Sequence, residues 1–217
     1  MKFAVVLVLA VGLLVGLIRA EKTSKPQKIL TFKTPLSLLF IVAWTLQPAQ
    51  SPLFSGLILA ALVFCLGGDV LLGMGSDKAF LGGLVSFLLG HVMYTAAFFT
   101  AARVGTIMAV AMIILLFAAA LVWRWLEPHL EEMKVPVLAY MVVISIMVCA
   151  AAGLAANSAM PEKARFVILA GAVLFYVSDL FVARQRFVID AIFNRQIGLP
   201  LYYGGQFLLA FSAAWVP

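Results

Sequence analysis

Apolar residues run through this chain in stretches of about twenty, separated by short polar clusters. The stretches lie at approximately 3–18, 34–50, 53–72, 79–101, 105–126, 135–156, 164–183 and 197–215. About twenty residues at 1.5 Å of rise each cross the hydrocarbon core of a bilayer. The runs are continuous and lack the alternation of membrane barrel strands, so the pattern predicts spanning helices. The expected fold is therefore an all-α membrane protein, a bundle of eight transmembrane helices in a single domain over 1–217. The first run has the outline of a signal peptide, but Arg19 stands where cleavage wants a small neutral residue, and it is read as a spanning helix.

Composition sharpens this reading. Hydrophobic residues make up 65% of the 217, against about 45–50% in soluble domains, which excludes an ordinary water-soluble fold. The net charge of +6 would suit nucleic acid, yet the basic residues flank the apolar runs and read as topology signals. Of 15 lysines and arginines, 11 fall in the loops after segments one, three, five and seven. Only Lys2, Arg103, Lys163 and Arg165 fall on the other side. The positive-inside rule then turns both termini away from the cytoplasm. Cys65 and Cys149 sit inside apolar runs as small hydrophobes, and two histidines are too few for a three-histidine zinc site.

Against this background two aspartates stand out, each after a small residue: Gly68-Asp69 and Ser178-Asp179. Both lie near the predicted cytoplasmic ends of their segments, where the helix dipole disfavours an acid. Simple capping is a poor account of them, and at one depth they can share a site. Segments two and six carry "KTPL" and "KVPV", and the small-residue–Asp step recurs one helix later, which suggests two parallel four-helix halves. In segment four, Gly83, Phe87, Gly90, His91 and Tyr94 share one helical face. Tyr202, Tyr203 and Gln206 lie at the level of the aspartates, with Lys33 and Arg186 on the same side to meet a phosphate. The residues alone describe a polar pocket with two acids, hydrogen-bonding aromatics and a basic rim.

The stretches "GGDVLL", "FLLGHVMY", "YVSDLFVARQRF" and "LYYGGQFLLA" resemble successive motifs of the YhhN family of membrane proteins, which includes the lysoplasmalogenases. The resemblance runs from about Lys33 to Ala210. It implies a hydrolase that cleaves the vinyl ether of a lysophospholipid within the bilayer, releasing a fatty aldehyde and a glycerophospho-ethanolamine or -choline. Carried over by position, the motif residues are Asp69, His91, Tyr94, Asp179, Tyr202, Tyr203 and Gln206. A vinyl ether hydrolyses through an oxocarbenium ion, and a buried pair of carboxyls can divide into acid and base for that chemistry. Asp69 and Asp179 are the expected catalytic pair, the others supports, with no metal, no cofactor and no nucleic-acid partner. The implied setting is a bacterial inner membrane, with the site toward the cytoplasmic leaflet. The alternative from a different class is a transporter or lipid carrier whose aspartates bind protons or cations.

Overall fold

A computed structural model describes residues 2–23 and 25–217. Eight long helices follow in order: α1 (Lys2–Glu21), α2 (Pro26–Thr45), α3 (Pro52–Gly73), α4 (Asp77–Phe99), α5 (Thr106–Leu126), α6 (Lys134–Ala155), α7 (Glu162–Ala183) and α8 (Ile192–Ser212). No strand occurs among the described residues. A π-helical turn, Arg184–Val188, follows α7. Helices α1 to α7 are long and apolar enough to cross a membrane. α8 is less apolar, and it buries Asn194, Tyr202, Tyr203, Gln206 and Ser212 against protein. The chain is a multi-pass, all-α membrane protein.

Two helix starts differ from the sequence expectation. α2 begins at Pro26, eight residues before the predicted 34, and Pro35 lies inside it. Proline at the first helical position costs nothing, because its missing N–H would have no partner there. The polar stretch Gln27–Lys33 looked like a loop, but it forms two helical turns, and Lys33 is buried because an acid on another helix meets it. Lys33 therefore belongs to a helix and not to the first loop. α8 likewise begins at Ile192 rather than 197, with Pro200 inside it.

Within each half, neighbours in sequence pack together: α1 on α2, α2 on α3, α3 on α4, and again α5 on α6, α6 on α7, α7 on α8. The halves join where α4 lies on α6 and α8 lies on α2. Small residues let the backbones approach. A methyl group added at Gly83 or Gly90 of α4 would lie 3.3 Å from the carbonyl of Gly68 or Ala61 on α3. The same addition at Gly198 or Gly205 of α8 would lie 3.6 or 2.8 Å from the carbonyl of Ser178 or Gly171 on α7. Positions on α3 and α7 differ by a constant 110, positions on α4 and α8 by a constant 115. The first offset carries Asp69 to Asp179, and the second carries Phe87 to Tyr202 and His91 to Gln206. The two hairpins repeat one another. Their flanks do not: α1 packs on both α2 and α8, whereas α5 packs chiefly on α6.

Candidate active site

Asp69 and Asp179 each stand four residues before the last residue of their helix. Both line one cavity of about 500 Å³, reached from the end of the bundle where α1, α3, α5 and α7 finish. Lys33, Tyr140, Tyr202 and Arg186 line it as well, and apolar residues of α4, α5 and α6, among them Leu84, Leu126 and Ile144, form much of its wall. Its polar groups are concentrated around the two carboxylates and at the rim.

Asp69 is 1% exposed and is met only by donors. Lys33, Leu36, Ser37 and Phe40 recur at helical spacing on the buried face of α2, so Lys33 and Ser37 reach it together. Lys33 Nζ lies 3.3 Å from Asp69 Oδ1. Ser37 Oγ and Tyr202 OH each donate to Oδ2 at 2.6 Å. Tyr203 OH lies 3.0 Å from Ser37 Oγ and so holds that hydroxyl from behind. With three donors in place, one of the roughly four lone-pair sites of a carboxylate stays open.

Asp179 is less enclosed, its side chain 18% exposed. Tyr140 OH donates to its Oδ2 at 2.6 Å, and His91 Nε2 lies 3.4 Å from the same oxygen. His91 is fully buried, with Nε2 2.8 Å from Tyr140 OH and Nδ1 3.3 Å from Met147 Sδ. Asp179 Oδ1 has no protein partner among the described residues. The Phe175 ring packs between the two sets, 4.5 Å from the His91 ring and 5.2 Å from that of Tyr202.

Of the residues read from sequence, Asp69, Asp179, Lys33, Arg186 and Tyr202 reach the cavity wall. His91 and Tyr203 stand behind it, each touching a group that touches an aspartate. Tyr94 and Gln206 do not join either set: Tyr94 OH donates to Gln206 Oε1 at 2.6 Å, within the core. Arg186 is at the rim, paired with Asp77 and stacked over Phe80 at 4.5 Å. Lys33 is committed to Asp69 and is not at the mouth. Sequence reading missed Ser37 and Tyr140. Ser37, one turn from Lys33, carried a signal through that spacing. Tyr140 had only the mark of being the one tyrosine in α6.

The fold and its cavity define a class: a polytopic helical membrane protein with an acid pair opening toward one face of the bilayer. The chain belongs to the YhhN family, whose profile matches residues 27–213. It is 30% identical over 169 residues to the Bos taurus protein named lysoplasmalogenase TMEM86A, covering 77% of this chain and 67% of that one. A Mycobacterium tuberculosis protein named lysoplasmalogenase is 30% identical over 154 residues, covering 67% of this chain and 54% of its own. The Mus musculus protein named lysoplasmalogenase TMEM86B is 29% identical over 181 residues, covering 82% and 72%. The chain thus spans just over half the length of the mycobacterial relative. No solved structure matches it.

Proposed function

We propose that this chain is a lysoplasmalogenase, an ether hydrolase that cleaves the vinyl ether of a lysophospholipid with Asp69 and Asp179 as its catalytic pair. The observation that carries the reading is the shared cavity, with two differently supported carboxylates on its wall and apolar lining residues suited to one alkenyl chain. The family relatives named above support the same substrate class.

The chemistry needs a proton on the alkene carbon remote from oxygen, then water on the carbon bearing oxygen. Asp179 suits the first role, since its free Oδ1 can carry a proton while Oδ2 is held by Tyr140. Asp69 suits the second, because Lys33, Ser37 and Tyr202 aim donors at its carboxylate that favour the ionised form, the form that stabilises an adjacent oxocarbenium ion. Its open lone-pair site takes a proton from the incoming water. The hemiacetal that forms collapses to aldehyde and alcohol; Asp69 then releases its proton to water in the cavity and Asp179 takes one up from it, which restores both groups. The sum is one water consumed per ether cleaved.

The basic asymmetry of the loops supports an orientation with the cavity mouth at the cytoplasmic leaflet of a bacterial inner membrane. A carrier would want a second polar path to the opposite face. There, Asn157 donates to the carbonyl of Ala101 and Gln47 to that of Ala43, so these amides serve backbone ends instead. Purified protein given a 1-alkenyl lysophospholipid is expected to release fatty aldehyde, followed by derivatisation and mass spectrometry. Absence of aldehyde from folded protein would overturn the assignment.

A further inference from the structure

At the mouth of the cavity, acids and bases alternate in a way the ether chemistry does not use. Arg195, on the first turn of α8, lies with Nε 2.6 Å from Glu21 Oε2 at the end of α1 and donates through Nη1 to Asp190 Oδ1 at 2.9 Å. Glu21 is recessed, its side chain 9% exposed, while Asp190 stands out at 77%. All three line the same cavity as the aspartate pair. Arg195 also shares the cavity-facing side of α8 with Gly198 and Tyr202, two turns or about 10 Å below the Tyr202 that holds Asp69. That separation suits a glycerol unit with a phosphate at its far end.

Two carboxylates share one arginine here, leaving a local excess of negative charge. A guanidinium has five N–H donors, and the two acids engage Nε and Nη1 only. The remaining N–H groups match a phosphate in geometry and charge. The structure assigns Arg195, Glu21 and Asp190 as a subsite for a zwitterionic headgroup, with phosphate on the arginine and a primary ammonium between the two acids. A primary ammonium donates three hydrogen bonds to such acids; a trimethylated nitrogen donates none and is better served by an aromatic cage. The subsite therefore favours ethanolamine over choline. Glu21 lies outside the residues 27–213 that the family profile matches. The assignment rests on the lysophospholipid reading and extends it to the headgroup.

The test compares full-length wild type, Glu21→Gln and Arg195→Gln in proteoliposomes on three substrates. These are 1-alkenyl-glycerophosphoethanolamine, its choline counterpart and 1-alkenylglycerol, which has no headgroup. Bonds to charged groups contribute about 1.5–3 kcal/mol, and 1.4 kcal/mol is tenfold. Arg195→Gln is expected to lower the preference for either phospholipid over 1-alkenylglycerol at least about tenfold, through KM. Glu21→Gln is expected to lower the ethanolamine-over-choline preference by about the same factor. Unchanged ratios in both variants, or one equal loss on all three substrates, would overturn the subsite while leaving the hydrolase reading standing. Binding of the saturated 1-alkyl lysophosphoethanolamine by the same proteins separates the other case. Saturable binding weakened by both substitutions, with no vinyl ether cleaved, would keep the subsite and sink the hydrolase. No saturable binding by wild type, with no cleavage, overturns both.

Discussion

Asp69 on α3 is met by Lys33, Ser37 and Tyr202; Asp179, at the matching place on α7, is met by Tyr140 and lies 3.4 Å from His91. The supports obey the repeat. α2 and α8 attend the first carboxylate, α6 and α4 the second, so each is held by its own half and by the other. The chemistry of the supports has diverged. Where His91 stands in α4, Gln206 stands in α8; where Tyr202 stands in α8, Phe87 stands in α4. The side chain of one acid is 2% exposed and the other 18%. A duplicated scaffold thus places two like groups symmetrically, and substitution around them gives each a different task.

The comparison can be broken most forcefully at the acids themselves. Asp69→Asn and Asp179→Asn should each lower kcat by at least roughly 10²–10⁴-fold in an aldehyde-release assay. They should differ in stability. Asp179→Asn should melt with wild type, whereas Asp69→Asn leaves the Lys33 ammonium buried without its counter-ion and should melt lower. The second expectation comes from the structure alone, since a bare acid in an apolar run shows nothing of its buried partner. Equal melting temperatures would erase the distinction.

The next effect in size is on the ion pair. Removing one member of a buried pair costs about 3–5 kcal/mol, so Lys33→Met should be strongly destabilised in detergent unfolding titrations. Lys33→Met with Asp69→Asn should unfold later than either single variant, because no lone charge remains, while activity stays lost. Additive destabilisation would show that the pair is not coupled.

Smaller differences should sharpen the contrast between the phenols. Tyr202→Phe and Tyr140→Phe each remove a bond to a carboxylate, about 1.5–3 kcal/mol. The loss at Tyr202 should fall mainly on unfolding, and that at Tyr140 on kcat, by about tenfold or more. Reversed readouts would exchange the roles of the two acids. The smallest effect is at the rim, where bonds from Arg195 and Gln185 hold the Asp190 carboxyl below the usual carboxylate range. A lowered folded value means that this link contributes above the ordinary range and is lost as pH falls through the lowered value. Asp190→Asn should therefore melt slightly below wild type at neutral pH and level with it in strong acid.

The eight helices and the matching place of both aspartates near their helix ends were legible, because run length and a charge inside a run are local signals. The start of α2 was not. A lysine in a membrane helix looks like a loop residue until its counter-ion is known, and Asp69 is a helix away. Tyr140 was invisible for a related reason: a tyrosine in an apolar run fits packing as well as it fits a hydrogen bond. Arg195 counted only as a topology charge and Glu21 drew no reading, since only the contact of α1 with α8 brings them together. Lys33 and Arg186 do share the cavity of the aspartates, but the expectation that both await a phosphate overlooked Asp69 and Asp77 as their partners.

The bond from Tyr202 to Asp69 spans 133 residues, from the last helix back to the third. During synthesis α3 enters the membrane long before α8 is made. Until then its carboxylate has only Lys33 and Ser37 beside it. α8 is also the helix least able to leave water on its own apolarity, and the groups that receive its polar face are the ones already waiting in the bundle. Completion of the polypeptide and completion of the Asp69 shell are therefore one event. A product cut short before residue 202 lacks the Tyr202 donor and leaves the Asp69 carboxylate with Lys33 and Ser37 alone.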